Sequence, residues 1–165
     1  MTSQPIRVMF FCLGNICRSP LAEALFRHHV ALQGFDDRFE INSSGTSAYH
    51  IGEPPDPGSV QIARERLNLD ISGQRAQQLS DTHIREYDYL VAMDRSNLAN
   101  AESLQGAGEA NLLLFRDFEP NDAHRGSDVP DPWGGGSSQF EKVYDIVHRC
   151  AESLLNRIIE TENLS

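Results

Sequence analysis

The feature that most constrains this chain is a nine-residue turn, Cys12-Leu13-Gly14-Asn15-Ile16-Cys17-Arg18-Ser19-Pro20, behind the apolar run Val8-Met9-Phe10-Phe11. A run that short and apolar reads as a strand buried on both faces, as in a parallel sheet. Beyond the turn, Ser19 can cap a helix and Pro20 suits its first turn. Leu21, Ala22, Ala24, Leu25 and Phe26 supply that helix with an apolar face. The nonapeptide thus joins the end of a strand to the start of a helix. Successive backbone N–H groups from Leu13 through Gly14, Asn15, Ile16 and Cys17 to Arg18 form an anion cradle, reinforced by the helix dipole. Gly14 permits close backbone approach or positive φ, and Asn15 tolerates the left-handed region. Arg18 can grip two oxygens of one phosphate. Cys12 enters from the strand end, where the helix N-terminus and Arg18 favour its thiolate. The expected chemistry is a thiolate nucleophile beneath a bound tetrahedral oxyanion.

This is a C-x5-R-S pattern, and the wider stretch CLGNICRSPLAEALF resembles the phosphate loop of low-molecular-weight protein-tyrosine phosphatases. A buried strand-end cysteine beside an ordinary helix start would account for neither Arg18 nor Gly14-Asn15. The resemblance implies an α/β fold: a single-domain open parallel sheet of four strands, order 2-1-3-4, with helices on both faces and the phosphate loop after strand one. It also implies that Ser43 hydrogen-bonds Asn15, that Tyr49 packs on a phosphorylated ring, and that Asp94 lies at the cleft edge. At Gln74 relatives commonly carry a histidine that supports the loop, and Gln74 can hydrogen-bond but brings no charge.

Displacing a phosphate ester oxygen requires a proton for the leaving group. In the resembled family that acid belongs to an Asp-Pro motif followed by an aromatic residue, which Asp131-Pro132-Trp133 matches and Asp128 does not. The resemblance therefore implies Cys12 as nucleophile, Arg18 and the loop amides as phosphate ligands, and Asp131 as acid and then base. Ser19 is placed to donate to the Cys12 sulfur, and Trp133 to flank the cleft. The substrates implied are tyrosine-phosphorylated proteins and small aryl phosphates, with inorganic phosphate released through a phosphocysteine. No metal or other cofactor is required, because loop dipoles and Arg18 do the charge work. Three rival readings are a protein-arginine phosphatase, an arsenate reductase and a non-catalytic phosphopeptide-binding module. Ile16 suits a tyrosine pocket, where the arginine-specific relatives tend to have threonine. Residues 70–95 hold none of the extra cysteines a reductase needs, and Cys12, Arg18 and Asp131 together argue against a retired binder.

Composition narrows the rest. The 165 residues suit one domain, 1–165, and a net charge of −10 argues against nucleic acid or an anionic membrane as partner. No apolar run approaches the ~20 residues of a membrane span. The start MTSQPIRVMFF has no cleavable-signal pattern, so the expected location is the cytoplasm. Three cysteines without regular spacing suggest neither a disulfide scaffold nor a zinc site, and Cys150 falls on a helical apolar stripe as core.

In chain order, the pattern predicts a strand at 6–11, a helix at 19–33 closed by Gly34, and a strand at 39–44. His28 and His29 are expected exposed near the first helix's C-terminus, complementing its dipole rather than binding metal. A long loop, 43–58, precedes a helix at 59–67, and turn geometry is the reading for Asp56. A short helix at 80–87, a strand at 87–93 and a helix at 95–104 follow, with Asp94 either capping that helix or lining the site. A short strand at 112–115 leads into a second long loop, 116–136. Ser138 and Glu141 predict a capping box for a last helix running to about 160, with His148 exposed.

Overall fold

The computed structural model describes residues 4–165. β1 (Ile6–Cys12), β2 (Phe39–Gly45), β3 (Tyr89–Ala92) and β4 (Leu112–Leu114) form one parallel sheet in the order β2-β1-β3-β4. That is the predicted order. β1 lies in the middle, with Phe10 opposite Ser43 on one side and Val91 on the other. Alternation along β1 sends its side chains to two cores. Val8 and Phe10 face α1 (Arg18–Leu32) and α5 (Ser137–Thr161), with Phe26, Val147, Leu154 and Ile158. Met9 and Phe11 face α3 (Asp81–Glu86) and α4 (Arg95–Glu102), with Ile84 and Ala101. Phe10 packs between the rings of Phe26 and Phe115 at centroid distances of 5.3 and 5.4 Å. α2 (Pro57–Leu67) follows the first long loop, and Asp56 caps it by accepting from the Gly58 amide at 2.8 Å. Gly34, at φ +76°, ends the α1 segment as expected.

The caps predicted at Ser19 and at Ser138 with Glu141 differ from what forms. α1 begins at Arg18 with Cys17 as its N-cap, and no side chain caps it. Ser19 lies inside the first turn and turns its hydroxyl to the Cys12 sulfur. The first amides of α1 are thereby left for an external acceptor. α5 begins at Ser137 with Gly136 as N-cap, so Ser138 falls within the first turn and the box with Glu141 does not form. The histidines also differ. His29 is buried against His148, because α1 and α5 pack side by side and enclose the flank that a single-helix reading leaves open. Among the described residues, no helix is long and apolar enough to cross a membrane.

Candidate active site

β1 carries Cys12 to the C-terminal edge of the sheet, at the crevice between β1 and β3 where the strand order reverses, the usual ligand position in open α/β sheets. Cys12 is 3% exposed, and its Sγ receives two contacts, the Asn15 amide at 3.3 Å and the Ser19 hydroxyl at 3.1 Å. Asn15 sits at φ +58°, the left-handed conformation that turns the chain back over the sulfur. Its side chain is tied at both ends. Nδ2 donates to Ser19 Oγ (2.8 Å) and Ser43 Oγ (3.0 Å), and Oδ1 accepts from the Gln77 amide (3.0 Å). The Ser43 hydroxyl donates to Glu23 Oε1, and Gln77 Nε2 donates to the Ser43 carbonyl. Burial, only partly offset by Arg27 and Ser43, holds the Glu23 carboxyl above the usual range.

Gly14 does not use a positive φ. It admits the His50 ring, whose Cδ2 would lie 2.8 Å from a β-carbon at that position. Gly45, opposite Cys12 in the sheet, is the more restrictive glycine. A β-carbon there would stand 2.7 Å from the Leu13 carbonyl and 3.0 Å from the Asn15 amide.

Arg18 is 3% exposed and held by a fixed pair of acceptors. Its Nη1 donates to Asp94 Oδ2 at 2.7 Å and to the Val129 carbonyl at 2.9 Å. Asp94 also caps α4 through Oδ1, accepting from the Asn97 amide at 2.7 Å, so of its two expected alternatives the cap is the one that forms, and it reaches the site only through Arg18. Burial opposes the Arg18 charge, but Cys12, Asp94 and Asp131 outweigh it and keep the guanidinium more firmly protonated than usual. Asp131 Oδ2 lies 3.9 Å from Arg18 Nη2, and its Oδ1 accepts from the Trp133 amide at 3.0 Å. The root of this loop is pinned. The Val129 amide donates to the Met93 carbonyl, and Asp128 accepts from Arg95 through backbone and side chain.

A pocket of about 210 Å³ is lined by Cys12, Arg18, Tyr49, His50, Asp131 and Trp133, together with loop residues Leu13, Gly14, Ile16 and Cys17. Tyr49 (78% exposed) and Trp133 (65% exposed) stand as its two aromatic walls. Cys17 is buried. Desolvation, then the negative charges of Asp56 and Asp131, push its thiol far up, so it is protonated at neutral pH. Asp94 holds Arg18 from outside the pocket lining. Gln74 lies away from the loop, donating to the Pro20 carbonyl at 3.3 Å beside a wider hollow of about 670 Å³ that contains no nucleophile. Gln77 occupies the supporting place instead. Glu23, Gly45, His50 and Gln77 are the site residues that the sequence reading omits. For Gly45 the available signal is a glycine at the end of a strand that must pass behind the loop.

A sequence profile of the family described as low molecular weight phosphotyrosine protein phosphatase matches residues 7–164. The chain belongs to this family. It is 42% identical over 155 residues to the low molecular weight phosphotyrosine protein phosphatase of Saccharomyces cerevisiae, covering 92% of this chain and 94% of that one. It is 37% identical over 161 residues to the low molecular weight protein-tyrosine-phosphatase YfkJ of Bacillus subtilis, covering 96% and 99%. The crystal structure of YfkJ superposes with a TM-score of 0.88, covering 98% of this chain and 99% of that one. The low-molecular-weight phosphatase fold thus extends over nearly the whole described chain, long loops included.

Proposed function

We propose that this chain hydrolyses phosphotyrosine in proteins, and small aryl phosphates, through a phosphocysteine on Cys12. The observation that carries this reading is the convergence on one pocket of a sulfur in contact with the Asn15 amide and the Ser19 hydroxyl, a tethered arginine and the Asp131 carboxyl. Both Nη1 protons of Arg18 are taken by Asp94 and Val129, which leaves Nε–H and Nη2 for phosphate oxygens. The loop amides from Leu13 to Arg18 hold the remaining oxygens as charge redistributes. Cys12 attacks phosphorus in line, the ester P–O bond breaks, and Asp131 gives its proton to the departing phenol oxygen. Asp131, then a carboxylate, takes a proton from water. That water attacks the phosphocysteine and releases phosphate and the thiolate. Ser19, at 3.1 Å from the sulfur, stabilises the thiolate as nucleophile and as leaving group. Tyr49 and Trp133 offer faces to the substrate ring, a preference for aromatic esters that the Ile16 side of the pocket shares.

The test is turnover of para-nitrophenyl phosphate and a phosphotyrosine peptide without added metal, beside a phosphoarginine substrate. Turnover of the aryl esters, lost in Cys12→Ser while phosphate or vanadate still binds, is the expected result. Preference for phosphoarginine would move the assignment to an arginine phosphatase. Binding without turnover in the parent chain would make it a phosphopeptide-binding module.

A further inference from the structure

At the far end of α1 from the phosphate loop, three potential ligands meet between two helices. His29 is in the last turn of α1, 11 residues from Arg18 and so about 16 Å along the axis. His148 and Glu152 lie four apart on α5 and share one helix face. His29 Nε2 and His148 Nδ1 are 3.1 Å apart, and with a Glu152 carboxylate oxygen all three ligand atoms lie within 4.8 Å of one another. We propose that His29, His148 and Glu152 form a binding site for a divalent transition-metal ion of the zinc type, which clamps α1 to α5.

The geometry suits a chelate. Two imidazole nitrogens on one tetrahedral ion, each at about 2.0–2.1 Å, stand about 3.3 Å apart. The observed separation needs only a small opening. Two imidazoles and one carboxylate are a ligand set for zinc, cobalt, nickel or copper and not for calcium or magnesium. The rings are already ordered, with His29 stacked on His148 at 4.8 Å and His148 stacked on Tyr144 at 5.9 Å. Glu152 is exposed and gives the ion a way in from solvent. When the ion binds, the donor ring loses its shared N–H proton to solvent and regains one on its other nitrogen, the acceptor ring already carries its proton there, and two metal–nitrogen bonds replace the one hydrogen bond.

The site touches none of the residues assigned to phosphate chemistry, and it departs from the expectation that His29 only complements a helix dipole and that His148 is exposed. Titration of the metal-free full chain with zinc, followed by calorimetry and thermal unfolding, tests it. One equivalent should bind, and the unfolding midpoint should climb with zinc concentration. Cobalt should give a visible spectrum of nitrogen and oxygen ligation without thiolate charge-transfer absorption. His148→Ala and Glu152→Gln should each weaken binding by at least roughly 10-fold while phosphatase turnover without metal stays at the parent level. Glu152→Gln is exposed and keeps the question open to measurement if His148→Ala folds poorly. Absence of stoichiometric binding, a thiolate spectrum, or affinity unchanged in both variants overturns the proposal and leaves a histidine–histidine hydrogen bond alone.

Discussion

Asp128 and Asp131 are three positions apart in one loop, and their surroundings separate their chemistry. Asp128 is bonded by Arg95, which holds its carboxyl below the usual range and commits it as an anion. Asp131 stands at the pocket rim, with its nearest cationic nitrogen 3.9 Å away. Asp131→Ala should lower turnover of phenyl phosphate by about 10²–10⁴-fold. The loss should shrink as the leaving phenol becomes more acidic, a slope absent from the parent. Asp128→Ala should leave that slope flat, and a series of substituted phenyl phosphates reads both. If only Asp128→Ala steepens it, the acid is misassigned. Cys17 carries a second prediction. Its thiol is buried and held protonated, and it lies in the same loop as Cys12. Peroxide converts Cys12 to a sulfenic acid, which condenses with the Cys17 thiol to a disulfide and water. Peroxide-treated parent should regain activity with a thiol reductant, and Cys17→Ser should recover less. Peptide mapping without a Cys12–Cys17 link would remove this role.

The elements behind the loop hold it by close approach and by a hydrogen-bonded relay. β2 presses Gly45 against the backbone of Leu13 and Asn15. Gly45→Ala must displace that backbone, and overpacking of this kind costs about 1–3 kcal/mol. Loss of phosphate affinity together with a lower unfolding midpoint is expected, and unchanged phosphate binding would show the loop free to retreat. On α1, Glu23 accepts from Ser43 at the base of the same relay. Its folded-state carboxyl is raised by burial, so its ionised form opposes folding. The stability it allows is complete below the ordinary glutamate range and is lost as pH rises through the raised value. Glu23→Gln keeps an acceptor for Ser43 and removes the charge. Its unfolding midpoint should exceed the parent's at pH 7 and converge with it in acid, and the reverse order would mean that Arg27 dominates. α1 and the loop before it were legible in the sequence, because Cys12, Gly14-Asn15 and Arg18 are contiguous. Gln77 was not, because its partner Asn15 is 62 residues away and a backbone amide makes the bond.

At the scale of the whole molecule, a net charge of −10 surrounds a site built to receive a dianion. Local donors must overcome the long-range field, and salt weakens only the field. kcat/KM for a phosphopeptide with acidic flanks should rise with ionic strength, and that for basic flanks should fall. Equal salt dependence for both would mean that the loop amides and Arg18, rather than the net field, govern encounter. The chain by itself determined the parallel sheet, its order through a family resemblance, and the positions of Cys12, Arg18 and Asp131. Short apolar strands, turn residues and a nine-residue loop are local signals, and local signals survive in one dimension. The tertiary structure decided the partners. Asp94 turned out to serve α4 and Arg18 together, because β3 ends beside the loop. His29 and His148, both expected in solvent, meet because α1 and α5 cover the same face of the sheet. Each of these depends on the distance between residues far apart in the chain, and side-chain chemistry along the sequence does not encode that distance until the core has packed.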